Sequence, residues 1–222
     1  MVALIHETCQ YGYMRHDDYS QAPPMRAPLL AEERDGFRFR GGCPAIDLPA
    51  TLQARLKPAP RELLATPEDV RRWMVAAGLT DTAPPADEGD LALARRLREA
   101  IYDVAVHRHG GSGPPRGSLN SALAVLNQVA ALPAAIPTLT LAGSTASVAF
   151  TGPMTAFIAT VAREAVHLFG SGASIRQCQS PTCTLFFVDT SRAGDRRWCS
   201  MKGCGTKAKV AEFRRRKRES GG

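Results

Sequence analysis

The sequence predicts an α+β chain: a mainly helical N-terminal domain carrying short β-hairpins, followed by a small module of knuckle, hairpin and basic helix built around four cysteines. Three observations predict it. Apolar residues recur at helical spacing between identifiable start and stop signals, four cysteines fall in two equally spaced pairs near the C-terminal end, and the net charge is confined to that same end. The corresponding division is residues 1–36 as a flexible extension, 37–172 as the helical domain and 173–222 as the cysteine module.

Composition supports a folded chain. With 222 residues, 44% hydrophobic and 22% charged, it has the size of one domain plus an appended module and lies far from the low-hydrophobicity corner where chains stay disordered. The longest weakly polar stretch, Ser121 to Leu139, is interrupted by Asn127, Gln128, Pro133 and Pro137, which argues against a membrane span. Met1 to Arg15 lacks a basic start, an apolar run and a small-residue cleavage site, so secretion is not expected. The expected location is cytoplasmic, where cysteines stay reduced and bind metal more readily than they oxidise.

Residues 1 to 35 show prolines and polar clusters without periodicity, and read as irregular. Phe37-Arg38-Phe39-Arg40 alternates apolar and basic residues before Gly41-Gly42, a short strand entering a turn, and Ile46 and Leu48 form a further apolar patch. Thr66-Pro67-Glu68-Asp69 supplies a capping hydroxyl, a proline at the first helical position and carboxylates at the positive end of the dipole. The helix that follows buries Val70, Trp73, Met74 and Ala77 and stops at Gly78.

From Asp90 to His109 a second helix places Leu93, Leu97, Ile101 and Val104 inward, and the arginines between them are expected on a solvated face. Ser118 caps a third, with Leu119, Leu123, Leu126 and Ala130 inward. Leu139–Leu141 and Val148–Phe150, joined through Ala142-Gly143-Ser144, read as a hairpin. Phe157, Ile158, Val161, Ala165 and Leu168 then build a long helix ended by Gly170 and Gly172. Each stripe is expected to be core, as are Cys43 and His167, while His6, Cys9 and His16 are too loosely spaced to make a convincing metal site.

The chemistry is concentrated at Cys178, Cys183, Cys199 and Cys204, which form the pattern C-x4-C-x15-C-x4-C. Four thiolates on two such elbows can surround one tetrahedral Zn2+ at about 2.3 Å per sulfur, and a site filled by four cysteines leaves no position for a reactive water. The expected cofactor is one structural zinc. Disulfides would need an oxidising compartment, the spacing differs from the common ferredoxin patterns, and a thioredoxin-type site has two residues between its thiols. Leu185 to Val188 is expected to pair with Arg196 to Trp198 through a turn at Ser191 to Gly194, and Cys204 to begin a helix through Phe213, giving a treble-clef-like unit.

From Arg176 onward twelve basic residues face four acidic ones, so this segment carries +8 against −1 for the rest of the chain. That asymmetry points to a polyanion-binding appendage. On the terminal helix Val210 and Phe213 are expected to pack on the hairpin, leaving Lys207, Lys209, Arg214, Arg215, Arg216 and Arg218 outward, with Arg196 and Arg197 extending the same face. Neutralising about 5 phosphates would give a log affinity against log salt slope near −4.5.

Residues 178 to 218 resemble the CGNR zinc-finger family of bacterial transcription regulators. The resemblance is carried by the four-cysteine spacing, Phe187-Val188-Asp189-Thr190-Ser191-Arg192, Arg196-Arg197-Trp198-Cys199-Ser200 and the basic helix. The tetrad that names the family reads Cys204-Gly205-Thr206-Lys207 here, with lysine losing the bidentate fork of arginine. In that family the zinc module follows a domain called ABATE, associated with stress-induced regulators, which opens with a glycine pair and a Leu-Asp-Leu-Val-Asn-Thr-like string; Gly41 to Thr51 is similar to it, with Pro49 and Ala50 replacing valine and asparagine. The resemblance implies a DNA-binding transcription regulator whose N-terminal domain senses a ligand or mediates self-association as a homodimer, with duplex DNA the expected partner and RNA the alternative. No nucleophile, acid–base pair or phosphate loop is recognisable in the sequence, so an enzyme is not expected.

Overall fold

A computed structural model describes residues 32–111, 115–142 and 145–219. The first element is a small antiparallel hairpin of β1 (Glu33–Arg34) and β2 (Phe37–Arg38). Asp35 and Gly36 both take positive φ, as a two-residue hairpin turn of the Asp-Gly kind requires. Residues 33–36, expected to belong to a flexible extension, are therefore a strand and its turn; that dipeptide was the available signal. Residues 1–31, with His6, Cys9 and His16, lie outside the described residues.

The chain then passes Gly41-Gly42 into a one-turn helix, α1 (Pro44–Asp47), and a 3-10 turn, Leu48–Thr51. Glycine is required at position 41 by close approach: a Cβ there would lie 2.6 Å from Ile46 Cγ2 and 2.9 Å from its carbonyl carbon. The Asp47 carboxylate sits in the hollow so formed and accepts from the Arg40 and Gly41 amides at 2.7 and 2.6 Å. A short ladder of β3 (Leu52–Gln53) and β4 (Arg61–Glu62) leads to the helices.

Helix α2 (Pro67–Ala76) starts as its sequence dictates, with a reciprocal capping box between Thr66 and Asp69, and ends before Gly78 at φ +77. Helix α3 (Glu88–His109) begins two residues earlier than its periodicity suggests, because Asp87 and Asp90 form a second capping box. Helix α4 (Leu119–Ala130) is capped by Ser118, and helix α5 (Met154–Gly170) buries Phe157, Ile158, Val161, Ala165 and Leu168 as expected. One continuous core joins α2, α3, α4 and α5 with the Ile46–Leu48 segment.

Three expectations change. Helix α4 turns Ala122, Leu126 and Val129 inward, so its stripe is rotated and Leu123 is exposed. Arg98 is not solvated: it is 3% exposed and its guanidinium bridges Glu62 at 2.6 and 2.8 Å and Glu99 at 2.7 Å. His167 lies on the exposed side of α5. Between α4 and α5, β5 (Ile136–Ala142) and β6 (Thr145–Thr151) form the predicted hairpin, longer at its base than the sequence pattern indicated. No helix among the described residues is long and apolar enough to cross a membrane.

Candidate metal centre and basic helix

The cysteine module grows from a hairpin, though not the expected one. Strand β8 (Phe186–Val188) pairs antiparallel with β7 (Ile175–Gln177), upstream of the first cysteine, with Ile175 opposite Val188 and Gln177 opposite Phe186. Arg196 to Trp198 form a loop that touches the module through the Gln179 amide, which donates to Arg197 O at 2.9 Å. The Cys178–Cys183 knuckle thereby becomes the tip of the β7–β8 hairpin.

All three residues of β8 are buried, and strand alternation gives its two faces different tasks. Phe186 and Val188 join the main core, while Phe187 packs with Cys178 and Cys199 in a second, small cluster. The module is further tied to the body where the Val188 amide donates to Gly41 O at 2.8 Å. Asp189 next to it orders the following loop by accepting from the Ser191 amide and hydroxyl, the Arg196 amide and Arg176. Burial alone would raise its carboxyl pKa, and these hydrogen bonds outweigh burial and hold it below the usual range.

The four sulfurs converge. All lie within 4.8 Å of one another, with Cys183 to Cys199 at 3.8 Å and Cys199 to Cys204 at 3.7 Å. A tetrahedron with metal–sulfur bonds of about 2.3 Å has edges of about 3.8 Å, so the spacing is that of a tetrathiolate zinc site. The surroundings fit as well. Backbone amides of Ser180 and Cys199 point at the Cys178 sulfur, and that of Leu185 at Cys183, the donors that stabilise metal-bound thiolates. Thiolates this close repel one another: hydrogen bonding from Cys183 and Cys199 pulls the Cys178 thiol far below its ordinary range, while the same contacts push Cys183 and Cys199 up. A divalent cation among them removes that conflict. The four cysteines are positioned to coordinate one structural Zn2+ with no site left for water.

Cys204 lies in a turn of π geometry (Met201–Gly205), held by Ser200 Oγ accepting from the Gly203 amide, and helix α6 (Thr206–Glu219) follows directly. No residue of α6 is buried. Val210 and Phe213, expected to pack on the hairpin, are exposed, Phe213 by 68%. The basic residues of the module divide into two groups. Arg196 is committed to the fold: it donates to the carbonyls of Trp198 and Cys199 and lies over the Phe187 ring. Arg215 pairs with Glu212 and Glu219, and Arg216 with Glu212, along one side of α6. Lys207, Lys209, Arg214 and Arg218 form no ion pair among the described residues. Arg197 is exposed, donating to Gln179 and lying over Trp198. At 100° per residue, Lys207, Arg214 and Arg218 form one stripe, turned away from the Glu212–Glu219 side.

Sequence reasoning located the four ligands and the cations but missed the residues that seat the module: Glu32, Gly41, Asp189 and Ser200. Two of these, Asp189 and Ser200, lie inside the strings that carried the resemblance. No curated protein matches the chain. Two family models do: the ABATE model, described as "Putative stress-induced transcription regulator", over residues 42–172, and the CGNR zinc finger over residues 174–217. With more than half its length matched by the first and residues 174–217 by the second, the chain belongs to the ABATE family and carries a CGNR zinc finger at its C-terminal end.

Proposed function

We propose that the protein regulates transcription by binding duplex DNA, with the zinc centre fixing the base of α6 and the Lys207–Arg214–Arg218 stripe meeting phosphates. The observation that carries this reading is the stripe itself: three unpaired cations on one face of a helix that buries none of its residues. Its 14 residues span about 21 Å at 1.5 Å per residue, and a helix fits the major groove, about 12 Å wide. Lys207 adds its charge at the positive end of the helix dipole, where a bound phosphate is favoured. In the helical body, Glu62 and Glu99, which burial alone would push up, are held below the usual range by arginines and so are committed to structure.

Zinc-loaded Lys207→Ala/Arg214→Ala/Arg218→Ala protein is expected to lose at least tenfold in duplex affinity, with a salt slope shallower by about 2.7. An Arg215→Ala/Arg216→Ala control is expected to change affinity less. Equal binding by the triple variant and the parent would remove α6 from the contact. A second reading, RNA binding, draws on Phe213, exposed on the same helix about 100° round from Arg214, since unstacked bases stack on aromatic rings. Competition between duplex DNA and structured RNA at matched salt separates the two; RNA winning, with loss on Phe213→Ala, selects the second.

A further inference from the structure

The β5–β6 hairpin has an apolar face that nothing among the described residues covers. Its register sets Pro137 opposite Phe150, Leu139 opposite Val148 and Leu141 opposite Ala146, and residues opposite one another share a face. The other face carries Thr138, Thr140, Ser147 and Thr151, with Ala149 and, at its base, the exposed Ile136. The apolar face starts on the core at Phe150 and runs outward to Val148, Leu139 and Leu141, which are 48%, 70% and 73% exposed. A lone two-stranded hairpin is only marginally stable in water, and both of its outer edges stay open for pairing. Unpartnered, this feature is an aggregation hazard.

We infer that the occupant of this face is a second copy of the same chain, packed hairpin on hairpin about a two-fold axis. Charge decides between occupants. From Gly117 to Ala162, 46 consecutive residues include no Asp, Glu, Lys, Arg or His, in a chain that is 22% charged. Near a two-fold axis a charged group meets its own copy, so a self-complementary surface is best left neutral. A nucleic acid would find no cation here, and an anionic bilayer neither a basic residue nor, on this face, a tryptophan or tyrosine to anchor it. Size sets the strength. A face of seven residues on two strands measures about 23 Å by 10 Å, so a hairpin-on-hairpin contact covers about 230 Å2 of each copy and about 460 Å2 in total, at the low end of the weak class. The dimer therefore dissociates on dilution. This inference is independent of DNA or RNA binding and is tested without nucleic acid.

The test is the mass of the zinc-loaded full chain in solution, measured by light scattering over a dilution series. The parent is expected at twice the 23.8 kDa of one chain at about 100 μM, falling towards one chain on dilution. Leu139→Lys/Leu141→Lys and Leu139→Glu/Leu141→Glu proteins, both altered only at exposed positions, are each expected to be monomeric with unchanged circular dichroism. Mixed one to one, they are expected to regain the dimer mass, because opposite charges now face each other across the axis. A single Val148→Lys substitution provides a second variant should either pair misfold, with the same monomer expected. A parent that stays at one chain mass throughout, or lysine variants that dimerise as the parent does, would overturn the proposal. So would a monomeric parent that partitions onto phosphatidylcholine vesicles, since the occupant would then be lipid.

Discussion

Ser200 Oγ donates a 2.6 Å hydrogen bond to Glu32 Oε2, 168 residues away in sequence. The loop between the third and fourth cysteines is thus anchored on the segment that leads into the helical body. The same hydroxyl accepts from the Gly203 amide, and Arg40 Nε approaches the same carboxylate at 3.2 Å. Ser200 is buried, so Ser200→Ala removes a bond to a charged group and leaves an amide without its acceptor. Such bonds contribute about 1.5–3 kcal/mol. A loss of about 2 kcal/mol is expected in urea unfolding, with one zinc per chain retained; a variant as stable as the parent would show that the contact is incidental.

Arg98 is a buried charge of α3 that the body cannot lose cheaply. Arg98→Ala leaves Glu62 and Glu99 facing each other with Arg55 and the more exposed Arg95 and Arg116 as their remaining partners. Breaking a buried pair from one side costs about 3–5 kcal/mol. Both carboxyls lie below their ordinary 4.5 in the native protein, so their contribution is full above pH 4.5 and is lost as pH falls through the native values. The gap between parent and variant is therefore expected to be widest at pH 7 and to narrow at pH 3, in denaturant curves at the two pH values.

The helices were legible because their signals are local: Thr66 and Asp69, or Ser118 and Ser121, cap their helices within four residues of sequence. The metal ligands were legible because a knuckle is local too, with Cys178 and Cys183 six residues apart inclusive and Cys199 and Cys204 the same. What could not be read was the partner of β8. Leu185–Val188 is flanked by two segments with strand character, and only the tertiary structure, through Gly41 O and the body core, selects Ile175–Gln177. The burial of Arg98 is illegible for the same reason: its acceptors, Glu62 and Thr51, come from 36 and 47 residues upstream. Periodicity places a residue on a helix face; it does not say what stands opposite.

Asp47 gives the body a pH dependence of opposite sign. Full burial raises its carboxyl to about 7, against the lowering effect of the Gly41 and Arg40 amides and the more distant Arg34. In the unfolded chain it ionises near 3.8, so between pH 4 and 7 the native state binds the extra proton. Stability then falls as pH rises through that window, at up to about 1.4 kcal/mol per pH unit, and levels off above pH 7. Asp47→Asn keeps an oxygen to accept both amides and removes the titration. The variant is expected to gain on the parent progressively from pH 4 to 7 in urea titrations; parallel curves would mean that Asp47 is ionised throughout.

Metal removal should dismantle the module and spare the body, because the two have unequal cores. Among the described residues the module's own cluster contains only Phe187, Cys178 and Cys199 as buried residues, too little to hold a fold without the ion, whereas the body packs Trp73, Phe157, Leu97 and Ile101 at full burial. Structural zinc contributes about 10–16 kcal/mol in small modules of this kind. The two tryptophans report separately: Trp198 is half-buried against the cysteine cluster, and Trp73 is 1% exposed in the body. In a Trp73→Phe protein, chelation is expected to shift the Trp198 emission to longer wavelength and to lower the helical signal by about the share of α6, a 14-residue helix marginal on its own. In a Trp198→Phe protein, the Trp73 emission is expected to stay where it is. Because Phe186 and Val188 belong to the body core, β8 should keep its contact with Gly41 after the metal is gone, and hydrogen exchange at the Val188 amide is expected to remain slow while that at Gly203 becomes fast. Loss of protection at both amides would mean that the zinc site and the body fold as one unit.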